Sequence, residues 1–408
     1  MYPRTLAKHI LEISQQFPVL LVTGPRQVGK TTLLEMCAED NRTYVTLDDL
    51  DIRNLAQKDP GLFIQTYPPP VIIDEIQYAP LLFSYIKIQV DRTKQKPGLY
   101  WLTGSQKFSL MKGISESLAG RVGIIDLLGL SQAEIEDQAD LSTPFVPTSE
   151  WLSSARGKHK KVVGVDQVYQ RIWQGAFPKV VGVSPIQRDL YYRSYVQTYI
   201  QRDVRDLLRI TDNTVFYNFL ISVAARTGQL LNYTDLARDL SIDNKTAKSW
   251  LSVLATSGLV YLLYPYFRNI TKRLIKTPKL YFLDTGLACY LTKWTDPGSL
   301  EAGAMSGAML ETYLFAEILK SYWHNGKEAH FYYYRDLDQR EIDLVIEGDE
   351  SFFPVEFKKT GTPSMTAVKH FPVLEKLGKP LATGAVVCLV EKEIPLSSTV
   401  TAIPVGYL

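Results

Sequence analysis

Cysteine is scarce in this chain: three residues in 408, at Cys37, Cys289 and Cys388, with no C-x-x-C spacing. That excludes a disulfide framework and a cysteine-built zinc site, and the three read as core residues of a reducing compartment. Long apolar runs are lacking too. No stretch of about 18 apolar residues occurs, so no membrane-spanning helix is expected. The N-terminal MYPRTLAKHILEIS is amphipathic, without the apolar core or small-residue cleavage site of a signal peptide. A cytoplasmic location is the expectation. Net charge is nearly absent: 45 basic residues against 43 acidic ones leave +2, so any nucleic-acid surface has to be local. Internal repeats and low-complexity tracts are missing as well.

What is present is a chain too long for one ordinary core, so two or three domains are expected. From residue 5 to about 130, helix and strand alternate. FPVLLVTG at 17–24, PPVIIDE at 69–75, GLYWLTGS at 98–105 and GIIDLLGL at 123–130 read as buried strands, which predicts a parallel α/β sheet. Residues 131–165 are polar, carry the basic run GKHKK at 157–161, and read as a connecting segment. A helical stretch comes next at 166–230, with Tyr192, Tyr195, Val196 and Tyr199 at helical spacing. Residues 232–266 read as helix, turn, helix and strands, the outline of a winged helix. The last segment reads as a strand near 279, a helix at 307–322, a strand at 330–335, a hairpin at 341–358, a helix at 364–377 and a strand at 383–390.

The motif GPRQVGKTT, residues 24–32, fits G-x-x-x-x-G-K-[ST] between a strand and a helix. Gly24 and Gly29 allow backbone angles and a close approach that a Cβ would block, so the loop Pro25-Arg26-Gln27-Val28-Gly29 can turn its backbone amides toward phosphate oxygens. Lys30 reaches the β- and γ-phosphates, Thr31 offers a hydroxyl to Mg²⁺, and Thr32 serves the α-phosphate beside the positive end of the helix. VIIDE puts Asp74 and Glu75 at the C-terminal end of a buried strand, where open parallel sheets bind ligands. Two adjacent carboxylates there repel unless a cation sits beside them. The expected roles are Asp74 on the metal through its water shell and Glu75 polarising the attacking water, hence ATP hydrolysis with Mg²⁺. Ser105, in WLTGSQ, is the candidate partner of the γ-phosphate or the water. Arg121, in SLAGRVG, is the candidate phosphate-charge stabiliser, in cis or across a subunit interface.

A second constellation lies in IDLVIEGDESFFPVEFKK at 342–359. With Glu347 paired to Phe352 across the turn, Ile342 falls opposite Phe357, Leu344 opposite Val355 and Ile346 opposite Phe353, all on one apolar face. The other face then sets Asp343 opposite Glu356, with Lys358 one step along. Facing carboxylates are unfavourable, and a hard divalent cation between them removes the conflict. A lysine alongside suits charge developing on phosphate. Glu311, on the preceding helix, is the candidate third carboxylate.

Taken together, GPRQVGKTTLL, VIIDEIQ, WLTGSQ and SLAGR, with QGAFPKVV at 174–181, YVQTYIQRDVRDL at 195–207 and KLYFLDTGL at 279–287, resemble AAA+-class P-loop ATPases. These are bacterial and archaeal proteins fused to a C-terminal domain of unknown function with a PD-(D/E)XK, restriction-endonuclease-like core. The resemblance covers nearly the whole chain. It implies an α/β multidomain protein: a P-loop NTPase parallel sheet (1–135), a connecting segment (136–165), a helical and winged-helix-like middle region (166–270) and a C-terminal α/β restriction-endonuclease-like domain (271–408). It also implies an ATPase with a Mg²⁺-dependent nuclease, whose set stands here as Glu311, Asp343, Glu356 and Lys358, and self-association.

One departure stands out: no helical lid with a second sensing arginine is recognisable after Leu130, and Arg202 and Arg205 are the possible substitutes. In the middle region, Asn244, Lys245, Thr246 and Lys248 decorate the start of the second helix, where nucleic acid, DNA above all, would be met. TKRLIKTPK at 271–279 is a basic stripe suited to a phosphate backbone. The competing expectation is a nucleotide-controlled switch, with the middle region as a packing module and the nuclease core as a scaffold.

Overall fold

The computed structural model describes residues 1–158, 162–199, 213–267 and 277–408. Five strands, β1 (Val19–Thr23), β2 (Thr43–Thr46), β3 (Val71–Asp74), β4 (Tyr100–Thr103) and β5 (Val122–Asp126), form an all-parallel sheet in the order β2-β3-β4-β1-β5. β1 is buried along its whole length, as a strand covered on both faces must be. Val19 and Leu21 face one core with Ile73, Leu102 and Phe83, whereas Leu20 and Val22 face another with Leu6, Ile10, Leu33 and Trp101. β4 lies between the strand that carries the phosphate loop and the strand that carries Asp74. The short strand β2 had no periodic signal.

The stretch expected to be a connector is folded. Residues 149–158 form a helix, Phe145 is fully buried, and the Phe145 carbonyl accepts 2.9 Å from the Tyr322 hydroxyl. Residues 159–161 of the basic run lie outside the described part.

In the middle region, helices Asn213–Ala224, Tyr233–Asp239 and Asn244–Thr256 pack with three short antiparallel strands, β6 (Gln229–Leu230), β7 (Val260–Leu263) and β8 (Lys279–Phe282), in the order β6-β8-β7. The boundary expected at 270 is corrected by this sheet: β8 lies beyond it, yet pairs on both sides with strands of the middle region. Asp243 caps the third helix, accepting from the Thr246 amide at 2.8 Å.

The C-terminal sheet has six strands, β9 (Phe331–Arg335), β10 (Glu341–Glu347), β11 (Phe352–Lys358), β12 (Gly384–Cys388), β13 (Ile394–Pro395) and β14 (Val400–Pro404), in the order β13-β14-β12-β11-β10-β9. The helix Ser306–Trp323 packs against it. The hairpin register holds as expected from Leu344↔Val355 to Glu347↔Phe352. It is corrected at Ile342. β10 carries a bulge against β9 between Ile342 and Val345, so Ile342 turns to the opposite face, with Val345 and Phe352, while Phe357 stays with Leu344 and Val355. The helix expected at 364–377 is two 3₁₀ turns, Met365–Val368 and Phe371–Leu377. Pro372, which lacks an amide donor, sits at the start of the second turn and interrupts the α-helical bonding.

The largest apolar core runs from Leu6 and Leu20 through Tyr192 and Leu251 to Leu344 and Ile403, so the three regions share buried surface rather than meeting through linkers. Among the described residues no helix is long and apolar enough to cross a membrane.

Candidate functional site

The phosphate loop leaves the C-terminal end of β1 through three residues at positive φ: Gly24 (139°), Gln27 (62°) and Gly29 (93°). A Cβ on Gly24 would meet the Leu127 carbonyl oxygen at 2.0 Å, so only glycine lets the loop lie against the end of β5. Gly29 precedes the helix Lys30–Cys37, whose first amides face the loop. Lys30 is folded into the loop, with its ammonium 3.0 Å from the Gly24 carbonyl and 2.8 Å from that of Pro25. Buried Val28 anchors the loop from below: its carbonyl accepts 2.9 Å from Arg4, whose guanidinium also reaches the Leu128 carbonyl at 2.8 Å.

Asp74 ends β3 facing this loop. Its carboxylate accepts from Thr31 at 3.0 Å, from Tyr44 at 3.1 Å and from Thr103 on the neighbouring strand. Burial, then the charge of Asp74, pushes the Tyr44 hydroxyl up to about 12, so it stays a donor. Glu75 has left-handed backbone angles (φ 56°, ψ 44°), which turns its side chain out of the strand and into the cleft. It is held there by Gln77, with the Ser105 hydroxyl at 3.5 Å. The donor set fits a nucleotide with Mg²⁺: convergent amides, one lysine, a threonine hydroxyl and a carboxylate across from it.

The cleft measures about 500 Å³ and is lined by Arg26, Gln27, Gly29, Lys30, Thr31, Thr32 and Glu75 on one side, and by Pro178, Lys179 and Thr198 on the other. Nothing in the sequence placed the second wall at this cleft. It comes from QGAFPKVV and the helix Pro185–Tyr199, and a buried knot holds it in place. Asp284 accepts from the Ala176 amide (2.7 Å), the Tyr192 hydroxyl (2.8 Å) and the Leu287 amide (2.7 Å). Arg188 donates to the carbonyls of Trp173 (2.9 Å) and Gly286 (3.1 Å). Gly175 and Gly286 meet here at a separation with no room for a Cβ. Lys179 lines the cleft opposite the phosphate loop, while Arg202 and Arg205, the expected substitutes for a sensing arginine, lie outside the described residues. Gly258, after the helix Asn244–Thr256, rests on Pro25 of the loop.

Arg121 is placed elsewhere. It precedes β5, whereas the phosphate loop leaves the other end of the parallel strand β1, about 13–16 Å away along a five-residue strand. It pairs with Asp91 at 2.7 Å and 3.2 Å. A cis role at the phosphates is therefore corrected.

The second constellation does assemble. The Lys358 ammonium lies 2.5 Å from Glu356 and 3.4 Å from Asp343, and the Phe357 amide donates to Asp343 at 3.0 Å. Asp343 and Glu356 are buried, only 7% and 4% exposed. Burial, and then the charge of Asp343, pushes the Glu356 carboxyl well up; burial opposes ionisation of Asp343 too, but Lys279 and Lys358 hold it down. The two carboxylates thus titrate as a crowded pair, and a cation beside them would relieve their repulsion.

Lys279, in the sequence only the end of a basic stripe, enters this site from β8. It contacts Glu341 at 2.7 Å, Glu311 at 3.2 Å and Asp343 at 3.2 Å. The Tyr281 hydroxyl adds a 2.6 Å bond to Glu311. Glu311 is thereby joined to Asp343 through an ammonium. Among the described residues no group of three or more His, Cys, Asp or Glu side chains is disposed to hold a metal. The pair Asp343 and Glu356 still suits Mg²⁺, which takes one or two carboxylates and keeps its waters. No sequence signal could have joined Lys279 and Glu341 to this site, because Lys279 meets its partners 32–64 residues away in the chain.

Sequence comparison places these sites in context. Residues 16–136 match the model described as "AAA domain", residues 165–298 a domain of unknown function (DUF8612) and residues 306–408 another (DUF4143). The uncharacterized proteins Rv2008c of Mycobacterium tuberculosis and Mb2031c of Mycobacterium bovis are each 30% identical over 410 positions, covering 99% of this chain and 84% of theirs. The chain belongs to their family. It carries a P-loop ATPase domain, in an α/β fold with a parallel central sheet. Among solved structures, a Walker-type ATPase of Pyrococcus abyssi is 14% identical, covering 70% of this chain and 94% of that one, at a TM-score of 0.42. The RuvB Holliday junction branch migration motor of Thermotoga maritima is 16% identical, covering 64% and 89%, at 0.30. Both likenesses are too distant to carry an argument.

Proposed function

We propose that this family member hydrolyses ATP with Mg²⁺ at the P-loop cleft and uses the nucleotide cycle to control a phosphodiester-cutting site on the C-terminal sheet. The observation that carries the first half is the meeting of Lys30, Thr31, Asp74 and Glu75 around one cleft. Lys30 holds the phosphates, Thr31 and Asp74 would hold the metal, which would neutralise phosphate charge there, and Glu75 orients the attacking water, steadied by Gln77 and Ser105. Pro178, Lys179 and Thr198 close the other side, so the filling of the cleft is felt by the middle region. Arg121 keeps one possible part in the reaction, across an interface between copies of the chain.

The second half rests on Asp343, Glu356 and Lys358 converging on one hairpin in a PD-(D/E)XK-like order, with nucleic acid, DNA first, as the substrate class. A divalent metal there would activate water and screen the phosphate. The winged-helix-like middle region supports a nucleic-acid partner: Asn244, Lys245 and Lys248 are exposed on the third helix. Residues 271–276 of the basic stripe fall outside the described part.

The switch reading keeps one specific support, the ammonium of Lys279 standing among the carboxylates. Incubation of single- and double-stranded DNA and RNA with Mg²⁺ or Mn²⁺, with and without ATP, separates the two. Cleavage lost in both Asp343→Ala and Glu356→Ala supports the nuclease; no cleavage of any substrate, or cleavage unchanged in these variants, leaves the switch.

A further inference from the structure

β8 is the middle strand of the three-stranded sheet, yet its first residue is spent in the site of a different sheet. Lys279 is 3% exposed, and its ammonium has three donors facing three carboxylates: Glu341 at 2.7 Å, and Glu311 and Asp343 at 3.2 Å each. A cation taken out of water in this way persists because the carboxylates compensate it. Glu341 is itself shared with Arg335 at 3.0 Å, whereas Asp343 is the carboxylate that a divalent cation would share with Glu356, with Glu311 as the candidate third. An ammonium and a divalent cation repel, so the two compete for this place.

Just past its other end, β8 is tied to the wall of the nucleotide cleft. The Phe282 amide donates to Thr227 at 3.0 Å, and two residues on, Asp284 fastens the Ala176 turn at 2.7 Å. That turn leads directly into Pro178 and Lys179, which line the cleft. One strand therefore touches the carboxylate site at its start and holds the wall of the ATP site just past its end. The stripe TKRLIKTPK and the signature KLYFLDTGL meet in this single lysine.

We propose that Lys279 is a stopper: an internal cation on β8 that keeps a divalent metal out of the carboxylate site and is withdrawn when nucleotide fills the P-loop cleft. This rests on the nuclease reading only in taking those carboxylates for a metal site. Withdrawal needs β8 to shift relative to β10, and the Asp284 knot supplies the handle.

The test is Mn²⁺ binding to the full chain, read from the spin-resonance signal of free Mn²⁺, with Asp343→Ala subtracting whatever binds elsewhere. Without nucleotide, the wild type holds little Mn²⁺ above Asp343→Ala. Lys279→Met binds it about ten- to a hundredfold more tightly, and Glu341→Gln, which keeps the lysine but loosens its shortest contact, tightens it less. With a non-hydrolysable ATP analogue, the wild type gains one Mn²⁺ that Asp343→Ala lacks. If neither variant binds Mn²⁺ more tightly while the wild type already holds a metal that Asp343→Ala loses, the stopper is wrong and the metal site stands. If the analogue adds nothing beyond the Asp343→Ala level, withdrawal by nucleotide is wrong. If no variant, with or without the analogue, exceeds Asp343→Ala, the nuclease reading fails with it. Circular-dichroism melts of Lys279→Met show whether the variant is folded, and Glu341→Gln carries the test if it is not.

Discussion

On the proposed mechanism, Lys30 and Glu75 divide binding from chemistry at the scale of single residues. Lys30→Ala is expected to abolish ATP binding in calorimetric titration, because its ammonium is the charge that the loop sets against the phosphates. Glu75→Gln keeps binding but lowers phosphate release about 10²- to 10⁴-fold, the usual contribution of a positioned general base. A second residue-scale prediction concerns Glu134, fully buried between Arg4 at 3.2 Å and His324 at 3.3 Å. Burial pushes its carboxyl up, but His324, Arg4 and the Ser131 amide outweigh that and hold it at about 2, against an ordinary 4.5. A depressed carboxyl stabilises the fold above its unfolded value and loses that effect as pH falls toward its folded one. About 3 kcal/mol is therefore lost between pH 4.5 and 2. Thermal melts of the wild type should drop through that window, while Glu134→Gln, already weaker at neutral pH, drops less. GPRQVGKTT and VIIDE were legible because their spacing is local. The partners of Tyr44, Thr103 and Arg4 were not, since each is met through strand pairing or packing across 24 residues or more.

Single elements carry constraints that spacing alone does not record. The Asp284 knot joins a turn, a helix and the end of β8 through hydrogen bonds that are largely buried, where each lost partner costs about 1–3 kcal/mol. Asp284→Ala is expected to reduce ATP turnover with the phosphate loop untouched, seen as a fall in phosphate release with ATP still bound. Gly24→Ala should weaken ATP binding more severely than a typical helix substitution, because the added carbon would meet the Leu127 carbonyl at 2.0 Å and φ is 139°. The β10–β11 register was readable from alternation because a two-residue period fixes every facing pair. The bulge between Ile342 and Val345 was not, because it belongs to the pairing of β10 with β9, and it turns Ile342 to the other face. Pro372 carried enough information to break the expected helix at 364–377, but periodicity masked it.

The whole molecule packs as one body around an ATPase cleft and a cluster of buried carboxylates. Its largest core crosses all three expected regions, so calorimetric unfolding should give one transition; two well-separated ones would contradict the shared core. The division into regions was legible from composition and motif order, whereas the burial of the connector and the reach of β8 into the C-terminal site depend on long-range packing. The central claim is that one site governs the other. The most direct measurement tracks ATP turnover and nucleic-acid cleavage together in the wild type, Lys30→Ala and Asp343→Ala. The account predicts that Lys30→Ala loses both activities and Asp343→Ala loses cleavage alone. Undiminished cleavage in a Lys30→Ala protein that no longer binds ATP would contradict it.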